Sequence, residues 1–248
     1  MMQLQITKER YGEIPCHIVH SLRENGNAVV FYHGWSSSAE AQLTRAAILA
    51  INGYTVFLPD AVHHGGRGPL TDYYAYEDYD IFWKTIFMNI NEFSGLEKSV
   101  RASGCRQTFL MGHSMGGMSV LGIAAAYPSS IDGVISFNGS GDWELTHLFM
   151  QARFGIAMDR EWNLYDEMQS LSPVNHLSEL SAVPLLLING EADTSVDPRA
   201  QAHFYDLLSK EKGMVERITY PGLGHFVTTN MMDDALAWLD EIRKNEND

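Results

Sequence analysis

Cysteine is nearly absent from this chain of 248 residues: Cys16 and Cys105 are the whole supply, far apart and outside any CxxC or Cys/His ligand spacing. Neither a disulfide framework nor a zinc site is indicated, and two buried free thiols are expected. Positive charge is also scarce. The 17 Lys and Arg stand against 31 Asp and Glu, a formal charge of −14, and the resulting field repels nucleic-acid phosphates and anionic lipid headgroups. Neither nucleic acid nor a membrane surface is expected as a partner. No apolar run approaches the length that spans a bilayer, and the opening stretch, MMQLQITKERYGEIPCHIVH, has no basic region followed by a sustained apolar core, so no signal peptide is expected. A soluble, cytoplasmic protein is the expectation. Repeats, low-complexity tracts and Pro/Gly/Ser-rich linkers are missing too, so residues 1–248 read as one domain. Its 45% hydrophobic content is ample for a single large core.

What is present is alternation. Short apolar runs rich in β-branched residues, at 4–7, 14–20, 28–32, 55–58, 108–111, 133–137, 184–188 and 217–220, alternate with helix-period segments at 76–102, 115–127, 198–209 and 229–244. A further helix is expected to open at Ser37-Ser38-Ala39-Glu40, which has capping-box spacing, and to end near Asn52-Gly53. This pattern predicts an α/β fold: a mainly parallel eight-stranded sheet with helices on both faces. The stretch 139–183 fits badly. It carries helix-like pieces at 143–157 and 161–171 with no strand between them, whereas one crossover needs only one helix. A small helical cap inserted over the end of the sheet is expected there, with ordinary crossover helices as the alternative.

Chemistry enters at Thr108-Phe109-Leu110-Met111, which runs directly into Gly112-His113-Ser114-Met115-Gly116-Gly117 and a helical pattern. Strand, G-x-S-x-G and helix together describe a nucleophile elbow, a strained turn that presents the serine and needs glycine where the backbone passes closely. A serine hydroxyl is a weak nucleophile, so a base must lie within hydrogen-bond reach and an acid must orient that base. In chain order the candidates come next. Asp193 lies in the acidic turn after the 184–188 strand, with Asp197 and Glu191 as fallbacks, and His225 lies in the Pro221-Gly222-Leu223-Gly224-His225-Phe226 turn after the last strand. Both turns sit at the carboxyl edge, where open α/β sheets place their sites. The tetrahedral oxyanion needs backbone N–H donors, for which Met115, after the nucleophile, and Trp35, after His33-Gly34, are the candidates.

With the run Leu58-Pro59-Asp60-Ala61-Val62-His63-His64-Gly65-Gly66-Arg67-Gly68 and Asn189-Gly190-x-x-Asp193 added, these motifs resemble, in order and context, those of the α/β-hydrolases. Across nearly the whole chain they look most like the small bacterial carboxylesterases related to dienelactone hydrolases and to the catalytic domain of prolyl oligopeptidases. The resemblance implies that Ser114, Asp193 and His225 occupy triad positions and that Trp35 and Met115 occupy oxyanion positions. A cofactor-free hydrolase of carboxylic esters acting through an acyl-enzyme is expected. The large apolar side chains of the cap candidate, among them Trp143, Leu145, Leu148, Phe149, Met150, Phe154, Ile156 and Met158, can enclose only a small pocket in so short a chain, so small or short-acyl esters are expected. Thioesters or aminopeptidase-like substrates would use the same groups, and a non-catalytic binding module is the rival from another class. Dienelactone hydrolases use cysteine, so the serine argues against that activity.

Trp35, His113, Phe149 and Phe154 are the expected substrate contacts. A metal at His63-His64 is rejected because neighbouring histidines give poor geometry for one ion and no ligand cluster completes a site. Arg67 is expected either to meet an acidic substrate group or to sit in a structural salt bridge, and the resemblance implies that this loop flanks the pocket with Asp60 and a histidine bracing it. The aromatic group Tyr73, Tyr74, Tyr76, Tyr79, Phe82, Trp83 and Phe87 is expected to be mostly core. A homodimer is left open.

Overall fold

The computed structural model describes residues 4–75, 78–155, 162–211 and 213–245. Its strands are β1 (Leu4–Tyr11), β2 (Ile14–Ser21), β3 (Asn27–Tyr32), β4 (Thr55–Pro59), β5 (Gln107–His113), β6 (Gly133–Phe137), β7 (Leu185–Gly190) and β8 (Val215–Tyr220). They form one sheet in the order β1-β2-β4-β3-β5-β6-β7-β8. The β1–β2 and β2–β4 pairs are antiparallel and the rest of the sheet is parallel. The expected mainly parallel, eight-stranded sheet is therefore what forms.

The period of two along each strand sorts side chains to two cores. On β3, Ala28, Val30 and Tyr32 face one layer while Val29 and Phe31 face the other. Helices α1 (Leu43–Ile51) and α8 (Thr229–Asn245) close the second face through Ala46, Leu49, Met231, Ala235 and Leu239. On the first face lie α2 (Tyr79–Ala102), α3 (Met115–Ala126) and α7 (Pro198–Leu208). Because the central strands are covered on both sides, β3, β4, β6 and β7 are buried along their whole length and read as continuous apolar runs rather than alternating ones.

One local expectation fails. The Ser37–Glu40 capping box does not form, and α1 starts later, after a short 3₁₀ turn at Glu40–Gln42. The Ala39 N–H donates instead to Asp60 Oδ1 (2.8 Å), and Ser37 Oγ accepts from Gln42 Nε2 (2.9 Å). A tertiary bond to the β4 end thus holds the segment that the local motif would have wound into a helix.

Between β6 and β7 the chain forms α4 (Trp143–Phe154), α5 (Tyr165–Leu171) and α6 (Leu177–Leu180), with no strand among the described residues. Asp142 caps α4 by accepting from the Leu145 N–H (3.0 Å), and Gly155 ends it in the left-handed region. Trp143 is fully buried against Trp83 and Phe87 of α2, with ring centroids 5.9 and 6.3 Å away, and α5 and α6 pack on α3. Much of 139–183 is thereby part of the helical layer. Tyr76, Ile156, Ala157, Met158, Glu161 and the Phe154 side chain lie outside the described residues.

Candidate active site

At the β5–α3 junction the chain turns sharply. Ser114 sits at φ 58°, ψ −119°, a region that costs a non-glycine residue on the order of 1–3 kcal/mol. The surroundings hold it there: the Ser114 N–H donates to the Phe137 carbonyl (2.8 Å) and its own carbonyl accepts from the Met118 N–H (2.9 Å). No room exists for side chains at the flanking glycines. A Cβ on Gly112 would lie 2.2 Å from the Gly116 oxygen, and one on Gly116 would lie 2.1 Å from the Tyr32 oxygen.

The candidate acid and base loops, after β7 and β8, converge on this serine although 111 residues separate Ser114 from His225. His225 Nδ1 donates to Asp193 Oδ2 at 2.6 Å, and Ser114 Oγ donates to His225 Nε2 at 2.8 Å. A carboxylate only accepts, so it selects the tautomer with hydrogen on Nδ1 and a lone pair on Nε2. The other carboxylate oxygen, Asp193 Oδ1, accepts from the N–H groups of Ser195 (2.8 Å) and Val196 (3.1 Å). Its side chain is fully shielded while the imidazole stays partly open. The fallback acids are engaged elsewhere: Asp197 caps α7 and pairs with Arg199, and Glu191 accepts from Thr219.

Met115 opens α3, so its N–H is among those without an intrahelical partner. Across from it, the 33–36 turn packs closely, with the Gly34 Cβ position 3.4 Å from Ser114 Cβ. His33 braces this turn from beneath. Its Nδ1 donates to the Gly34 carbonyl (2.8 Å) while Nε2 accepts from the Ala61 N–H (3.1 Å), and burial pushes its pKa down. The Trp35 indole donates to the Tyr73 carbonyl (2.6 Å), and its ring meets Tyr73, Phe82 and His64 edge-on.

Around the loop after β4, Asp60 accepts from Ala39 N–H and from Gly66 N–H (3.0 Å). Arg67 forms a two-pronged pair with Glu92 at 2.8 and 2.6 Å, the salt bridge of the two expected alternatives. His64 donates from Nδ1 to Val62 and is wholly buried, and no group of three or more His, Cys, Asp or Glu side chains is gathered as metal ligands would be among the described residues. Of the aromatic group, Phe82, Trp83 and Phe87 are core and Tyr74 is 84% exposed.

His113 packs its ring on His225, centroids 4.8 Å apart, with Nε2 buried and unpartnered. Phe149 lies under the Arg199 guanidinium, 4.2 Å from its ring centre. It lines a cavity of about 360 Å³ between α4 and the acid loop, with Met150, Arg153, Asp193 and Ser195 also in the wall.

Two family models match this chain, the Prolyl oligopeptidase family over residues 104–245 and Serine aminopeptidase, S33 over residues 23–157. Esterase YjfP of Escherichia coli (strain K12) is 30% identical over 224 residues, which span 85% of this chain and 86% of that protein. The chain belongs to the α/β-hydrolases. YitV of Bacillus subtilis (strain 168), whose name carries a provisional esterase assignment, is 28% identical to this hydrolase over 88% of its chain and 90% of YitV. TT1662 from Thermus thermophilus shares the fold, with a TM-score of 0.78 over 97% of this hydrolase and 98% of that chain at 21% identity. No helix among the described residues is long and apolar enough to cross a membrane.

Sequence reasoning missed Asn138, which ends β6 in the left-handed region at φ 47°. The Asn-Gly pair that follows a strand is a turn signal, but its partners are visible only in three dimensions. It also missed the group formed by Tyr79, His147, Trp162 and Asp80. There Tyr79 OH and His147 Nδ1 lie 2.5 Å apart, His147 stacks on Trp162, and the Trp162 indole donates to Asp80.

Two buried histidines make stability pH-dependent. Burial pushes the pKa of His64 down to about 4 and that of His113 down to about 3, whereas in the unfolded chain both should titrate near 6.5. Between these values the unfolded state binds more protons than the fold, so stability falls as pH falls below about 6.5, by on the order of 1 kcal/mol per pH unit for each ring. Urea midpoints at pH 7, 6 and 5 should decline in step. A midpoint that is flat or rises over that range would contradict the burial of these two rings as neutral groups.

Proposed function

We propose that this hydrolase cleaves small carboxylic esters, with Ser114 as nucleophile, His225 as general base and acid, and Asp193 as the group that orients His225. The unbroken line from Ser114 Oγ through His225 to Asp193, at 2.8 and 2.6 Å, carries the assignment. The esterase names of YjfP and YitV support the substrate class. His225 takes the Ser114 proton as Oγ attacks the acyl carbonyl, and the N–H groups of Trp35 and Met115 receive the oxyanion. The imidazolium then protonates the leaving alcohol, and water, activated by the same ring, releases the acid.

We further propose that the stretch 139–183 is part crossover and part wall: α5 and α6 complete the helical layer, while the outer half of α4 walls the site beside the acid loop. We place the acyl chain in the cavity of about 360 Å³ that Phe149 lines beside Asp193 and Ser195, a volume at the small end for ligand sites, which favours short acyl esters of about two to six carbons. A series of p-nitrophenyl esters from two to sixteen carbons tests this. Turnover should peak at short chains, and efficient hydrolysis of the longest ester would overturn the size argument. In the same series Phe149→Ala should shift the chain-length profile with only a modest fall in Tm. If α4 were core throughout, that substitution would instead open a cavity costing about 3–5 kcal/mol and leave the profile unchanged.

A further inference from the structure

We infer that Asn138 is the positioning residue that holds the three reacting side chains in register, an inference that rests on the proposed roles of Ser114, Asp193 and His225. The side chain is fully buried at the carboxyl end of β6, between the strand that carries the nucleophile and the strand that carries the acid. Its Oδ1 accepts from the Gly190 N–H (2.9 Å), at the base of the acid loop three residues before Asp193. Its Nδ2 donates to the Phe226 carbonyl (2.9 Å), the residue directly after His225. The Asn138 N–H donates to the Ile188 carbonyl (2.8 Å), and the carbonyl of the preceding residue, Phe137, accepts from the N–H of Ser114 itself (2.8 Å). One dipeptide at the end of one strand thereby touches all three loops.

The orientation of the amide is unambiguous, because Gly190 N–H can only donate and the Phe226 carbonyl can only accept. Aspartate lacks the donor, serine is too short to reach both partners, and glutamine would project them a bond too far. The backbone adds a second requirement. At φ 47° an ordinary L residue is strained, and asparagine is among the few non-glycine residues that visit this region readily. Both loops are also laced directly, by Ala192 N–H to Leu223 and Glu191 N–H to Tyr220. Those bonds set the loops against each other. Asn138 relates the pair to the nucleophile strand, and among the described residues its Nδ2 supplies the side-chain hydrogen bond to the Phe226 carbonyl.

Rates depend steeply on such register, since displacing a reacting group by about 1 Å can cost on the order of a hundredfold. Asn138→Gly and Asn138→Ala in the full chain separate register from stability. Glycine tolerates the positive φ and alanine does not, so alanine should lose more Tm, yet both remove the same two hydrogen bonds. At a temperature well below both midpoints, each variant is expected to show kcat on a p-nitrophenyl ester lowered by about 10–100-fold, with KM within about threefold of the parent. Phosphonylation by a fluorophosphonate, which needs the activated serine but no turnover, should slow in parallel. A kcat for Asn138→Gly within about threefold of the parent, or losses that follow Tm across the two variants, would overturn the inference. That failure is distinct from failure of the triad, in which Ser114→Ala would itself retain turnover and labelling.

Discussion

Ser114→Ala is expected to lower kcat on a purified ester by on the order of 10⁴ or more, and His225→Ala by a comparable factor, because such residues act as a unit. The alanine keeps the backbone bond to Phe137 but lacks the oxygen that His225 Nε2 meets at 2.8 Å. Folding should survive, since Ser114 Oγ is not needed to fill a core, and the strained φ of 58° is a backbone matter that alanine inherits. Asp193→Asn should be severe but milder. It leaves the site intact in shape while offering an amide where the imidazole N–H needs a carboxylate. Circular dichroism and Tm check the fold, steady-state kinetics check the loss, and fluorophosphonate labelling should vanish in Ser114→Ala. Retention of more than about a tenth of the activity would remove Ser114 from the mechanism, given losses of this size for true nucleophiles.

Gly116→Ala is expected to be the most damaging single-methyl change near the site. The new Cβ would lie 2.1 Å from the Tyr32 oxygen, 2.6 Å from its carbonyl carbon and 2.7 Å from the His33 oxygen. All three are backbone atoms, so no side chain can swing away, and α3 must part from the end of β3. That movement separates Met115, at the start of α3, from Trp35, just beyond β3. In the proposed mechanism the two N–H groups then cease to converge on one oxyanion. Losing one such donor costs on the order of 10²–10³ in kcat, and overpacking adds about 1–3 kcal/mol of instability. The kcat loss should exceed a hundredfold with a clear fall in Tm, on the same scale as loss of a donor. A variant with parental kcat and Tm would show that α3 does not press closely on the β3 end.

The cavity between α4 and the acid loop gives the α4 question its weight. Its wall includes Asp193 and Ser195, so a change in Phe149 or Arg199 acts near the carboxylate proposed to orient His225. Arg199 is held twice, by the Asp197 carboxylate at 2.6 Å and over the Phe149 ring at 4.2 Å.

Strands were the most legible feature of this chain, because apolar runs such as Ala28 to Tyr32 and Gly133 to Phe137 have few other ways to bury themselves. Helix starts were less so. The Ser37–Glu40 box lost to a single bond between Ala39 and Asp60, a contact that links positions 21 residues apart and leaves no trace in local spacing. His113 likewise could be seen beside the nucleophile in sequence. That its ring packs at a tilt against His225 follows only from bringing the last loop back over the elbow.

The sequence by itself determined the sheet, the elbow and the order of Ser114, Asp193 and His225, because each is written in a local pattern: apolar period, glycines around a strained turn, polar turns after buried strands. Tertiary structure decided what those patterns do together. It selected Asp193 over Asp197 and Glu191 by reach to His225, placed Arg67 on Glu92, sank Trp143 into the α2 layer and set Asn138 at the meeting point of three loops. Hydrogen bonds act over about 3 Å, and which groups come that close is fixed by the packing of whole elements rather than by their spacing along the chain.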